Sequence, residues 1–112
     1  MTYIMQLHEA PFRLVQEGKK TVELRLNDEK RRRIRVGDCI TFLNRANAAE
    51  DLTARVVALH PFDNFEALSA ALPLEQCGYT DAAALMRDMD GFYTAEEQEK
   101  YGAVGIEFEL IA

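Results

Sequence analysis

The chain has 112 residues, 48% of them apolar and 29% charged, with a formal net charge of −6. That is the balance of one globular domain, residues 1–112, with enough chain for a single hydrophobic core. Its apolar runs are too short to span a bilayer, and the first residues lack the basic and small-residue pattern of a secretory leader. Cys39 and Cys77 are too few for a disulfide framework, and no Cys/His spacing suggests zinc, so no metal or cofactor is expected. A reducing cytoplasm is the expected compartment, with both cysteines acting as small core residues.

Tyr3 to Leu7 reads as a first strand. Pro11 suits the first turn of a short helix, where its missing N–H costs nothing, with Phe12, Val15 and Leu14 on the apolar side and Gly18 ending it. Lys20 to Leu26 follows as a strand. Val22, Leu24 and Leu26 share one face, and Thr21, Glu23 and Arg25 the other. Strand parity puts Lys20 with the apolar set, but its place at the strand's first residue leaves its direction open. Asn27 to Lys30 reads as a turn or one helical turn. Val36-Gly37-Asp38 marks a turn before the strand Cys39 to Asn44, and Leu52 to His60 is a longer strand ended by Pro61.

The second half is more helical. Asp63 and Glu66 have capping-box spacing, opening a helix whose Phe65, Leu68 and Leu72 share a face before Pro73 closes it. Thr80 is the expected cap of a second helix carrying Leu85, Met86 and Met89. Thr94 and Glu97 repeat the capping box for a short helix stopped by Gly102. The last strand alternates, Val104, Ile106, Phe108 and Leu110 inward and Gly105, Glu107 and Glu109 outward. The expected class is α+β: a small β-barrel of about five to six strands with flanking short helices, since closure protects strand edges.

Charge is unevenly placed. From Arg13 to Arg45 there are ten Lys/Arg against five Asp/Glu, whereas from Ala46 onward there are three against thirteen. A positive region of this kind can attract phosphate. By itself, Lys30-Arg31-Arg32-Arg33-Ile34-Arg35 reads rather as a solvated loop balanced by the acidic half. The acidic groups Asp88/Asp90 and Glu96/Glu97/Glu99 are explained by helix caps and solvent-facing spacing. His8 at a strand end and His60 before Pro61 read as structural. The residues best suited to chemistry lie in Gly18-Lys19-Lys20-Thr21-Val22-Glu23-Leu24-Arg25-Leu26, where a carboxylate and a guanidinium project side by side. The plain alternative there is an exposed strand face carrying a weak ion pair.

The pattern Gly-x-Lys-x-x-Glu-x-Arg-Leu at Gly18–Leu26, followed by Ile34 to Phe42, closely resembles the ASCH family. The similarity continues through Arg55 to Leu59, Phe62 to Leu68 and the closing Tyr93 to Ile106, so it runs nearly the length of the chain. The resemblance implies a PUA-like barrel with a cleft beside the first helix that binds RNA or a nucleotide. Lys20, Thr21, Glu23 and Arg25 would be the binding residues. Lys20 would meet a phosphate or carbonyl, Arg25 would offer its planar fork, and Glu23 would orient them or accept a base amino group. Tyr101 could stack on a base at the same mouth, or equally serve as a core tyrosine.

Two catalytic alternatives also follow from the resemblance. Some similar proteins are amidohydrolases that deacetylate acetylcytidine-type nucleosides. Their key lysine falls on Lys20, with Glu75 the nearest candidate for their glutamate. Where they place a threonine three residues on, this chain has Glu23, and a carboxylate there favours an ion pair over an activated amine. Nuclease activity is attributed to other relatives, so a ribonuclease is the second alternative. Whether the chain is an enzyme, and in what oligomeric state it works, are left open by the residues themselves.

Overall fold

A computed structural model describes residues 1–111. In chain order its elements are β1 (Thr2–Leu7), α1 (Glu9–Gln16), β2 (Val22–Leu26), a 3-10 turn (Arg31–Arg33), β3 (Cys39–Asn44) and β4 (Asn47–Phe62), then α2 (Phe65–Ala71), α3 (Ala82–Phe92), α4 (Ala95–Tyr101) and β5 (Ala103–Leu110). The strands form one sheet in the order β1-β3-β4-β5-β2, parallel between β1 and β3 and antiparallel elsewhere. The sheet curls on itself. Arg25 of β2 reaches the Gln6 carbonyl of β1 at 3.4 Å, although these are the first and last strands of the order. The architecture is therefore an α+β half-barrel with a seam, unpaired among the described residues, between β1 and β2.

Period-two alternation sorts the side chains into two cores. Inside the curl, Ile40, Phe42, Val56, Ile106 and Phe108 meet under Phe12 and Val15 of α1. Phe42 and Phe108 pack tilted, with ring centroids 5.0 Å apart. On the outer face, Val22, Leu24 and Leu26 of β2 pack against Phe65 and Leu68 of α2 and Leu85 and Met89 of α3. Each such side chain taken from water contributes about 1.5–3 kcal/mol. The sheet is thus covered on both sides near β2, and this is why Glu23, on the face opposite Val22, is buried as well.

Helix α1 begins at Glu9, so Pro11 falls in the first turn as expected, third in the helix, where N–H groups need no intrahelical acceptor. Two caps differ from the sequence expectation. The cap of α2 is Asn64, whose Oδ1 accepts from Ala67 N at 2.7 Å, and Asp63 plays no such part. Asp81 replaces Thr80 as the cap of α3, accepting from Ala84 N at 2.8 Å. Short acceptor side chains side by side are interchangeable on paper, and only the chain's entry angle selects one. The Thr94/Glu97 box forms with both its hydrogen bonds.

Strand β4 runs on through Pro61. Its pairing with β3 ends at Arg55, so the proline lies where only β5 is alongside and its missing N–H interrupts no second ladder. Gly105 is buried because α2 covers that face: a Cβ there would come 2.7 Å from Leu72 Cδ1. Leu110 is 39% exposed at the strand's end.

Candidate functional site

Residues 19–21 leave the sheet before β2 begins. The N–H groups of Thr21 and Val22 both donate to the Gln76 carbonyl, at 2.9 and 3.0 Å, so this segment is pinned to the turn between α2 and α3. Lys20 is therefore released from strand parity and turns inward. Its Nζ lies 3.2 Å from Glu23 Oε1 and donates to the Cys77 carbonyl at 3.2 Å. Gly78 makes room for the lysine stem: it adopts φ +89°, and a Cβ there would stand 3.1 Å from Lys20 Cδ.

Lys20 and Glu23 are 6% and 4% exposed. Glu23 Oε1 also accepts from Leu24 N at 3.0 Å, and Oε2 lies 3.7 Å from Arg25 Nη2. Burial alone would raise the Glu23 carboxyl, but the charges of Lys20 and Arg25 and the Leu24 N–H outweigh it and hold the group below the usual carboxylate range. Two atoms of this cluster, Glu23 Oε2 and Arg25 Nε, are buried without a hydrogen-bond partner. A buried polar atom left in this state costs about 1–3 kcal/mol.

A cleft of about 440 Å³ opens over the cluster, between the start of α1, β2 and α3. Leu24 and Met89 give it an apolar wall, and Arg45 stands at its edge. Tyr79 donates its hydroxyl to Asp88 Oδ2 at 2.7 Å. Burial, then Asp88, pushes the phenol far above its ordinary value, so it remains a neutral donor. Phe92 is 55% exposed, and the ring of His8 lies nearly parallel to it, 16° between planes and 6.1 Å between centroids.

Lys20, Glu23 and Arg25, picked out in the sequence, converge on this cleft. The other three candidates lie elsewhere. Thr21 is half-buried and outside the lining, with its carbonyl accepting from Phe108 N at 2.9 Å. Glu75 is exposed on the α2–α3 turn and contributes only its carbonyl, to Gly78 N at 3.0 Å. Tyr101 packs against the outer core and lines a different groove with Asn27 and Arg32, with the Lys100 ammonium 5.1 Å from its ring centroid. It stands apart because α4 ends on the convex side of the sheet.

His8, Tyr79, Asp88 and Phe92 were not singled out as cleft residues. One signal was present: Phe92 continues the stripe Leu85–Met89 at helical spacing, yet falls on the last residue of α3, where the core has ended. Asp90 accepts from Gln98 at 3.1 Å, Glu97 caps α4, and His60 pairs with Glu107 at 2.9 Å. Among the described residues, no three His, Cys, Asp or Glu side chains gather as metal ligands, and no helix is long and apolar enough to cross a membrane.

No curated protein matches this chain. Solved structures do, among them the two that follow. The crystal structure of hypothetical protein PH0355 is 33% identical and superposes with a TM-score of 0.88, covering 99% of this chain and 100% of that one. The solution NMR structure of protein PF0455 from Pyrococcus furiosus is 34% identical, with a TM-score of 0.79 and coverage of 99% and 98%. The curled five-stranded sheet with its four helices is the PUA-like arrangement. With the ASCH domain model matching residues 5–112, the chain belongs to the ASCH family.

Proposed function

We propose that the cleft binds RNA or a nucleotide by its base, with Glu23 and Arg25 reading the base edge and Lys20 holding the carboxylate in place. The observation that carries this reading is the pair of unsatisfied atoms beneath the cleft, an acceptor on Glu23 and a donor on Arg25. A purely structural ion pair gains nothing by leaving them bare. Adjacent donor and acceptor groups on a nucleobase edge complement them. The exposed Phe92 ring, backed by His8, adds a flat apolar surface of the kind on which bases stack, worth about 1–3 kcal/mol per base.

The same geometry weighs against a catalytic amine. The Lys20 ammonium is engaged by Glu23 and by a backbone carbonyl, and Glu75 lies outside the cleft. Binding is therefore favoured over deacetylation.

Calorimetric titration with the four ribonucleoside monophosphates and short single-stranded RNA tests the proposal. Saturable binding is expected, weakened about tenfold or more by Arg25→Lys, which keeps the charge and loses the fork. Phe92→Ala should weaken it by a similar factor. A folded protein that binds none of these ligands would sink the reading. Turnover of acetylcytidine that disappears in Lys20→Met would replace it with the amidohydrolase.

A further inference from the structure

The cleft occupies one end of the seam between β1 and β2. At the other end lies a second groove of about 670 Å³, running along β1 from Thr2 to Gln6 and bounded opposite by Lys30, Arg31 and Ile34. Arg25 lines both cavities, so they meet at its guanidinium. In a chain of net charge −6, this second groove is lined by three cations and no carboxylate. Lys30 is exposed and makes no ion pair among the described residues. Arg31 is tied to Asp28 at 2.9 Å, but its Nε is buried without a partner, as is that of Arg25. Between the cations stand Tyr3, whose hydroxyl donates to the Arg33 carbonyl at 3.1 Å, and Ile4, an apolar side chain 65% exposed.

We infer that the seam is a track for single-stranded RNA, and that a mononucleotide fills only part of the site. This rests on the nucleobase reading of the cleft. With one base seated over Glu23 and Arg25, the phosphodiester backbone passes Arg25 and follows β1 toward Arg31 and Lys30. The six residues of β1 span about 20 Å, room for several nucleotides. Cations interleaved with apolar and aromatic surface are what an extended strand requires, since its phosphates and its base faces both need contacts. The unpaired edge of β1 offers hydrogen bonds to a peptide strand, but a groove whose charged lining groups are all cations favours a polyanion.

The test compares a mononucleotide with a single-stranded RNA of about six nucleotides, by fluorescence anisotropy across a salt series. The oligonucleotide is expected to bind at least about tenfold more tightly. Lys30→Gln, a surface change, should lower the slope of log K against log salt by about 0.7 for the oligonucleotide. It should leave mononucleotide affinity unchanged. Equal affinities for the two ligands, or a slope indifferent to Lys30, would overturn the track while leaving the cleft reading intact. Binding of neither ligand would remove both. Self-association through the seam, seen by light scattering and unaffected by the oligonucleotide, would assign the groove to a second copy of the chain and overturn the track.

Discussion

Lys20 and Glu23 are a buried pair whose partners cannot be removed singly at low cost. Truncating Lys20 to Ala strands a carboxylate beneath the cleft, with an expected loss of about 3–5 kcal/mol in urea unfolding. The double variant Lys20→Met/Glu23→Leu should recover most of that loss, because neither charge is then desolvated. Acid reports on the same group. The Glu23 carboxyl is held below its unfolded value of about 4.3. Its stabilising contribution is complete above that value and fades as pH falls through the lower folded one. Between about pH 5 and 3 the wild type should therefore lose stability more steeply than Glu23→Gln in parallel urea titrations. Glu9, Asp38 and Glu50 are also held low, but they are common to both proteins and cancel in the difference. The identities of these residues were legible in the sequence; their burial was not. An alternating strand announces which residues share a face, and an exposed polar face was the plain reading of Thr21, Glu23 and Arg25. Only the curl of the sheet, which brings β1 over Arg25, turns that face into an interior.

At the scale of elements, caps and stops hold the helices in register with the sheet. Thr94 bonds the backbone of Glu97 and Glu97 bonds back, so Thr94→Ala should cost about 1 kcal/mol in thermal or chemical melts. Gly102 is less replaceable. It adopts φ +71° and ψ −161°, a region open to little besides glycine, and a Cβ would stand 2.7 Å from the Phe62 carbonyl oxygen. Gly102→Ala should cost more than the cap, about 3 kcal/mol or above, because backbone on both sides resists. A smaller loss than that of Thr94→Ala would show that the α4–β5 junction relaxes. Periodicity and turn chemistry located these elements well, since both are written into neighbouring residues. The choice between Asp63 and Asn64, or Thr80 and Asp81, depends on the angle at which the chain arrives, and that angle is set by packing of α2 and α3 on the outer core. Pro61 misled for the same reason: whether a proline ends a strand depends on how many partners the strand has there.

For the molecule as a whole, the two cores share one sheet: β5 contributes to both, and its neighbour β2 contributes to the outer one. Neither half keeps its strands if the other melts. Tyrosine fluorescence, weighted toward the outer core by Tyr79, Tyr93 and Tyr101, should therefore lose its native signal together with far-ultraviolet circular dichroism in one transition. Separated midpoints would show that the outer layer comes away first. Smaller motions should precede that event at the turn carrying Cys77. The Cys77 carbonyl anchors Lys20, and the thiol behind it is wholly enclosed and held protonated by burial, with Glu23 adding to the shift and Lys20 opposing it. A maleimide can reach that sulfur only when the turn swings away. Its labelling rate is thus a clock for the breathing of the cleft wall, and any molecule that settles on Lys20 should slow it.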